Sequence, residues 1–187
     1  MTAAWQVAVA ALAAAAALTS AATMAQAPKA PDSIPKAPDN LIVISERIVT
    51  AGQPSAAWLE TLKDQRFEAV IYLAPPTVSD AVAGEALIVG RQGLVFVNIP
   101  INFSNPTEAD FLTFARIMDA LDGRRVLVHC QVNMRASVMT FLYRAIRRKE
   151  DPATAYEAVS RVWVPHGPWK ELLRAQLAQH RIAFDPF

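Results

Sequence analysis

The residues best suited to chemistry form one run, 129–137, which reads His-Cys-Gln-Val-Asn-Met-Arg-Ala-Ser. Cys130 is the only cysteine among the 187 residues, and Arg135 follows it five positions later. A thiolate is stabilised by a helix N-terminus and by a nearby cation, and a guanidinium binds two oxygens of a tetrahedral oxyanion at once. The spacing therefore predicts a nucleophilic or anion-binding site at Cys130.

The patterns on either side of this run predict the elements that position it. Short β-branched segments alternate with helical apolar patterns, which favours an α/β fold with a mainly parallel sheet of four to five strands flanked by helices. Ligands of such sheets bind at the carboxyl ends of the strands, and Cys130 directly follows one. The predicted strands cover residues 41–45, 68–73, 94–99 and 125–129. The predicted helices cover residues 56–64, 107–121, 134–149 and 168–180, with one more beginning at the pair Asp151-Pro152.

The loop between Cys130 and the following helix is expected to hold an oxyanion. Consecutive backbone N–H groups and a helix N-terminus together present partial positive charge. His129 is expected to orient the loop through a hydrogen bond from its ring to the backbone. The residues expected to contact the substrate are Gln131, Val132, Asn133, Met134, Arg135 and Ser137.

The run resembles the active loop of cysteine-dependent protein tyrosine and dual-specificity phosphatases. A closer resemblance is to the bacterial phosphatase-like domain of beta-lactamase-hydrolase-like proteins. Three further segments carry it: 48–55 (Ile-Val-Thr-Ala-Gly-Gln-Pro-Ser), 67–73 (Phe-Glu-Ala-Val-Ile-Tyr-Leu) and 98–101 (Asn-Ile-Pro-Ile). The resemblance implies a phosphatase-like fold and hydrolysis of phosphate monoesters. Cys130 would form a phosphocysteine, Arg135 would bind phosphate, and no metal or organic cofactor would take part.

The loop also departs from the usual tyrosine phosphatase pattern. Four residues instead of five separate Cys130 from Arg135, Asn133 stands near the position of a glycine, and Ala136 replaces the hydroxyl residue after the arginine. Asparagine tolerates the positive φ that glycine would supply. The shorter spacing is also that of rhodanese-like sulfurtransferases. Two alternatives to a phosphatase therefore stay open, a sulfurtransferase and a catalytically degenerate anion-binding module.

A phosphatase also needs an acid that protonates the leaving oxygen. In dual-specificity relatives this acid is an aspartate in the loop after the strand that matches 94–99. Here that loop, 101–106, reads Ile-Asn-Phe-Ser-Asn-Pro and contains no carboxylate. The nearest carboxylates are Glu108 and Asp110, and we take Asp110 as the candidate acid. Both residues also suit the first turn of a helix, where acidic side chains interact favourably with the dipole.

The N-terminal 40 residues are expected to lie outside the folded domain. Residues 1–27 contain 14 alanines and no charged side chain, which predicts a secretory signal peptide and export to the periplasm or medium; an uncleaved membrane anchor would have a similar composition. Residues 28–40 contain four prolines and predict a stiff linker. The phosphatase-like domain is then expected at 41–187.

The overall charge excludes a generally basic protein. With 18 Lys and Arg against 17 Asp and Glu, the net charge is +1 and provides no broad field that would attract nucleic acid. One cysteine and three scattered histidines give little support to metal binding. The expected partner is a phosphorylated protein or small molecule, without nucleic acid, and a membrane only if the N-terminal segment stays uncleaved.

Overall fold

The structure, a computed structural model, describes residues 35–187. The predicted signal segment 1–27 and linker residues 28–34 lie outside the described residues. Residues 35–187 form one compact unit. Among them, no helix combines the length and apolarity that crossing a bilayer requires.

Five strands form a single sheet in the order β1-β2-β5-β3-β4. The strand β1 pairs antiparallel with β2, and the other three pairings are parallel. The predicted α/β fold with a mainly parallel sheet is therefore confirmed. The strands are β1 (Ile42–Val43), β2 (Ile48–Ala51), β3 (Ala69–Tyr72), β4 (Val95–Asn98) and β5 (Val126–His129).

Helices connect the parallel strands, as crossover connections require. They are α1 (Ala56–Leu59), α2 (Glu85–Arg91), α3 (Glu108–Ala120), α4 (Met134–Leu142), α5 (Pro152–Ser160) and α6 (Pro168–Gln179). A π-helical turn, Tyr143–Arg147, continues α4. The sequence patterns did not predict the strand β2 or the helix α2. The helix α2 is only seven residues long, and Gly84 and Gly90 weaken its helical pattern.

The central strand β5 is buried on both faces, so its residues face two different hydrophobic clusters. Val126 and Val128 belong to the larger cluster with α3 to α6, whereas Leu127 belongs to the smaller cluster with α1 and α2. This alternation follows from the two-residue repeat of a strand. Both clusters hold β5 in place, and Cys130 is the first residue after it.

A candidate active site at the end of the central strand

The loop after β5 is anchored to the neighbouring strand β2. The Cys130 N–H donates to the Ala51 carbonyl at 3.3 Å, and the Gln53 N–H donates to the Gln131 carbonyl at 2.9 Å. Gly52 lies between these two contacts and forms an isolated antiparallel bridge with Val132. The start of the loop therefore has a fixed position at the carboxyl end of the sheet.

Several backbone N–H groups of the loop lack acceptors in the described part of the protein. Within residues 35–187, the N–H groups of Gln131, Val132, Met134, Arg135 and Ala136 donate to no protein acceptor, and no side chain caps the N-terminus of α4. Unpaired donors at a helix N-terminus bind anions, because the dipole adds to the hydrogen bonds. These donors are available to the oxygens of an oxyanion.

Asn133 takes the place of a glycine at the turn into α4. Its φ is +70°, which is the left-handed region that glycine and asparagine adopt most readily. The buried side-chain amide donates to the Asn40 carbonyl at 2.7 Å and to Thr50 Oγ1 at 3.0 Å. In return, the Asn40 amide donates to the Val132 carbonyl at 3.0 Å. Asn133 therefore pins the loop to the segment before β1, which the sequence assigned to the linker.

The Arg135 side chain is buried against the loop that follows β4. Its Nε donates to the Ile101 carbonyl at 3.1 Å, and its guanidinium carbon lies 5.0 Å from the ring centre of Phe103. Its Nη1 makes a longer contact of 3.5 Å with Gln131 Oε1, while Nη2 has no acceptor among the described residues. The loop after β4, which contains no carboxylate, therefore positions the arginine and leaves one end of the guanidinium for a ligand.

Cys130 lies beneath this loop with none of its surface exposed to solvent. The side chain is part of the larger hydrophobic cluster, and the Arg135 side chain is only 5% exposed. The thiol and the guanidinium are thus both enclosed at the carboxyl end of the sheet. Access of a substrate to the sulfur therefore requires a local movement around Cys130.

Two of the predicted site residues make contacts other than those expected. The Ser137 hydroxyl donates to the Met134 carbonyl at 3.1 Å, within the first turn of α4. The ring of His129 makes no hydrogen bond to the backbone; its Nε2 instead lies 2.6 Å from Glu85 Oε1, although the ring N–H and the carboxylate are not aligned as a hydrogen bond. The ring also stacks on Tyr72 with the centroids 4.8 Å apart.

Asp110, the candidate acid, belongs to the capping box of α3. Its Oδ2 accepts from the Thr107 N–H at 2.8 Å and from the Thr107 hydroxyl at 2.7 Å, while its own N–H donates to Thr107 Oγ1. This reciprocal arrangement satisfies the donors at a helix start. Asp110 makes no hydrogen bond to the Cys130 loop in the described part of the chain, so its helix-capping contacts replace the expected catalytic position.

Two carboxylates near the loop escaped sequence reasoning. Glu85 is buried, and its second oxygen accepts from Gln53 Nε2 at 3.1 Å. Asp80 is exposed, and its Oδ1 accepts from Gln131 Nε2 at 2.9 Å. Both residues follow β3, which lies next to β5 in the sheet. Knowing this strand order would have indicated that the segment after β3 lies near the Cys130 loop.

The pKa of Tyr72 depends on the charges of the site, because its side chain is buried near these groups. Burial, and after it the negative charges of Glu85, Asp80 and Cys130, together raise the pKa of Tyr72 to about 12 against the opposing charge of Arg135. Its hydroxyl donates to the Pro75 carbonyl at 3.3 Å. The hydroxyl therefore stays protonated at neutral pH.

No set of three His, Cys, Asp or Glu side chains that could hold a metal ion occurs in residues 35–187. The site as described consists of a thiol, a guanidinium, backbone donors and two carboxylates.

Comparison with known proteins identifies the fold. No protein-family model matches the chain. The chain is 29% identical over 120 residues to a beta-lactamase hydrolase-like protein of Xylella fastidiosa, a match that covers 62% of this chain and 28% of the relative. The chain thus spans about a quarter of the length of the curated relatives it matches.

Solved structures match over most of the domain. A candidate phosphatase (DUF442) from Shewanella putrefaciens is 28% identical with a TM-score of 0.69, covering 76% of this chain and 93% of that one. Tk-PTP in its active form is 20% identical with a TM-score of 0.63, covering 75% and 97%, which shows a shared fold. The resemblance expected from the sequence is thereby confirmed: the chain has the fold of the cysteine-dependent tyrosine phosphatase-like superfamily, and its sequence is similar to the beta-lactamase hydrolase-like proteins.

Proposed function

We propose that the chain is a cysteine-dependent phosphatase that hydrolyses phosphate monoesters through a phosphocysteine. The observation that carries the proposal is the group of unpaired backbone N–H donors in the residues that follow Cys130, together with the buried Arg135 side chain of the same loop. Donors fixed in this way bind the charge of a phosphoryl group without reorganising during the reaction. The similarity to phosphatases of the same fold supports the proposal.

The reaction has two displacements at phosphorus. The Cys130 thiolate first forms an S–P bond while the P–O bond to the alcohol breaks, and the departing oxygen takes up a proton. Water then attacks phosphorus, the S–P bond breaks, and inorganic phosphate leaves with the thiolate restored. Arg135 and the loop N–H groups hold the non-bridging oxygens throughout, because charge on these oxygens persists in both transition states.

The thiol is enclosed in the structure. Since Cys130 has no exposed surface, the sulfur must become accessible before an ester binds. Once the phosphoryl group is bound, its oxygens supply acceptors for the loop N–H groups, and these donors then stay fixed during both displacements.

The test measures hydrolysis of p-nitrophenyl phosphate by the wild type and by Cys130→Ser. We expect the serine variant to lose turnover and keep its thermal unfolding curve, because the substitution changes one buried atom. Mass spectrometry of the quenched wild type should detect a phosphate adduct on Cys130, which is unambiguous because no other cysteine is present. Hydrolysis that persists in Cys130→Ser would contradict the proposal.

A second pair of variants tests the phosphate site. We expect Arg135→Ala to weaken vanadate or phosphate binding about 10- to 100-fold, since hydrogen bonds to charged groups contribute about 1.5–3 kcal/mol. Arg135→Lys should retain only part of the wild-type affinity for vanadate or phosphate, because an ammonium cannot bind two oxygens side by side. Arg116→Ala removes an equal charge from the exposed face of α3 and serves as the control.

Two results would assign the chain to another class. Transfer of sulfur from thiosulfate to cyanide, with an extra sulfur on Cys130 and no phosphate adduct, would indicate a sulfurtransferase. Binding of phosphate without turnover of any ester would indicate an anion-binding module. Either result replaces the phosphatase proposal.

A further inference from the structure

The acid of the proposed reaction has no place in the loop where related phosphatases carry it. The loop after β4 contributes the Ile101 carbonyl and the Phe103 ring to Arg135 instead. Asp110 is held in the capping box of α3, and Glu108 Oε1 accepts from Gln179 Nε2 of α6 at 2.9 Å. A general acid for the proposed reaction would therefore lie on another element.

Asp80 lies on the neighbouring element, the irregular segment between β3 and α2. Its Oδ1 accepts a 2.9 Å hydrogen bond from the side chain of Gln131, the residue directly after Cys130. Because β3 and β5 are adjacent and parallel, their carboxyl ends open on the same edge of the sheet. The Asp80 carboxylate is thus attached to the loop that covers the sulfur.

The rest of the carboxyl group is available to a substrate. Asp80 is exposed, and Oδ2 has no partner in the described part of the chain. With Oδ1 occupied as an acceptor, a proton on this carboxyl resides on Oδ2. Glu85, the other carboxylate near the loop, is buried against His129 and Gln53 and cannot reach a leaving group in solvent.

Tyr72 shows that these groups share one electrostatic neighbourhood. The charges of Asp80, Cys130 and Arg135 all act on its hydroxyl, with the two anions raising its pKa and the cation lowering it. Each of these three charges therefore lies within electrostatic range of the Tyr72 hydroxyl.

The segment that carries Asp80 also provides room for the organic part of an ester. Val78 and Ala81, on either side of it in sequence, line a cavity of about 370 Å³ together with Tyr72 and Phe96. These side chains suit an aryl or alkyl group. Asp80 itself does not line this cavity, so the cavity marks only apolar space near the segment that carries Asp80.

We infer that Asp80 is the general acid of the proposed phosphatase reaction, an inference that rests on that proposed function. As the bond between phosphorus and the ester oxygen breaks, Asp80 gives its proton to that oxygen and becomes a carboxylate. It then takes a proton from the water that attacks the phosphocysteine, while the S–P bond breaks. Gln131 positions Asp80 by donating to Oδ1, and so links the acid to the loop that holds the phosphate.

The test compares two esters whose leaving groups differ in basicity. A good leaving group such as p-nitrophenolate needs little protonation, whereas phenolate needs an acid. We expect Asp80→Asn to lower kcat for phenyl phosphate by about 10²- to 10⁴-fold. The loss for p-nitrophenyl phosphate should be far smaller.

Matched variants separate catalysis from structure. Asp64→Asn removes the same charge from another exposed position and should change neither substrate's rate. Gln131→Ala removes the positioning contact and should reduce phenyl phosphate turnover less than Asp80→Asn does. An equal loss with both esters in Asp80→Asn, or a loss for phenyl phosphate that falls on Asp110→Asn instead, would overturn the assignment of the acid.

The Cys130→Ser variant distinguishes a wrong assignment of the acid from a wrong phosphatase proposal. If hydrolysis requires Cys130 but Asp80→Asn shows no dependence on the leaving group, the acid is wrong and the phosphatase proposal stands. If the wild type hydrolyses neither ester, or Cys130→Ser keeps its activity, the phosphatase proposal fails and the acid fails with it.

Discussion

Gly52→Ala probes the contact between the active loop, the strand β2 and the segment before β1. A Cβ at position 52 would lie 2.9 Å from the carbonyl oxygens of both Asp39 and Gln131, and 3.3 Å from the Cα of Val132. All three atoms belong to backbone, which cannot rotate aside as a flexible side chain would. The Gly52 N–H also donates to the Asp39 carbonyl at 2.8 Å, so the chains cannot separate without losing that bond.

The size of the effect follows from this overpacking. Forcing additional atoms into a packed site costs about 1–3 kcal/mol. For a domain of roughly 150 residues, each kcal/mol lowers Tm by about 2–4 °C, so we expect Gly52→Ala to lower Tm by about 2–12 °C. Because Gln131 follows Cys130 directly, the displaced loop should also bind vanadate more weakly.

Gly90→Ala is the matched control. Both variants are compared with the wild type by denaturant and thermal unfolding curves. Gly90 lies inside α2, and a Cβ there would meet nothing within 4 Å. Alanine should therefore stabilise the helix by about 0.5–1 kcal/mol. If Gly52→Ala unfolds at the wild-type midpoint and binds vanadate normally, the backbone contacts around Gly52 are not as close as described.

Two further predictions concern the loop and the buried tyrosine. Asn133→Ala should lower the free energy of unfolding more than Asn133→Gly in urea titrations, because both lose the amide hydrogen bonds but only alanine is strained at a φ of +70°; equal losses would show that the backbone there relaxes freely. The pKa of Tyr72 is raised by burial to about 12, so the folded protein holds this proton when the unfolded chain, with a pKa near 10, has lost it. The contribution of Tyr72 to stability should therefore decline as pH rises from about 10 towards 12. The Tyr72→Phe variant should lack this decline and show a smaller late-titrating tyrosinate absorbance, since burial also raises the pKa values of Tyr143 and Tyr156.

The strand, loop and helix around Cys130 were predictable because their signals are local. Three apolar residues before His129 and a helical stripe from Met134 indicate a strand that runs into a helix, and the structure has β5 ending at His129 and α4 beginning at Met134. Unpaired N–H groups at the helix start are a property of any helix, so the anion site also followed from the local pattern.

The partners of these residues could not be predicted in the same way. Asp80 is 51 residues from Gln131, and Asn40 is 93 residues from Asn133. Such contacts depend on which strands are neighbours in the sheet, and periodicity within a segment carries no information on strand order. The contacts of Asp110, in contrast, are local. An acidic residue in the first turn can accept hydrogen bonds from the N–H groups at the start of its own helix, whatever lies nearby.

By itself, the sequence determined that a single thiol and an arginine lie at the junction of a buried strand and a helix, because burial and helix periodicity are properties of neighbouring residues. The tertiary structure alone decided that Glu85 contacts His129, that the loop after β4 holds Arg135, and that Asp80 reaches Gln131. The physical reason is the parallel packing of β2, β3 and β4 around β5, which gathers loops from distant parts of the chain at one edge of the sheet.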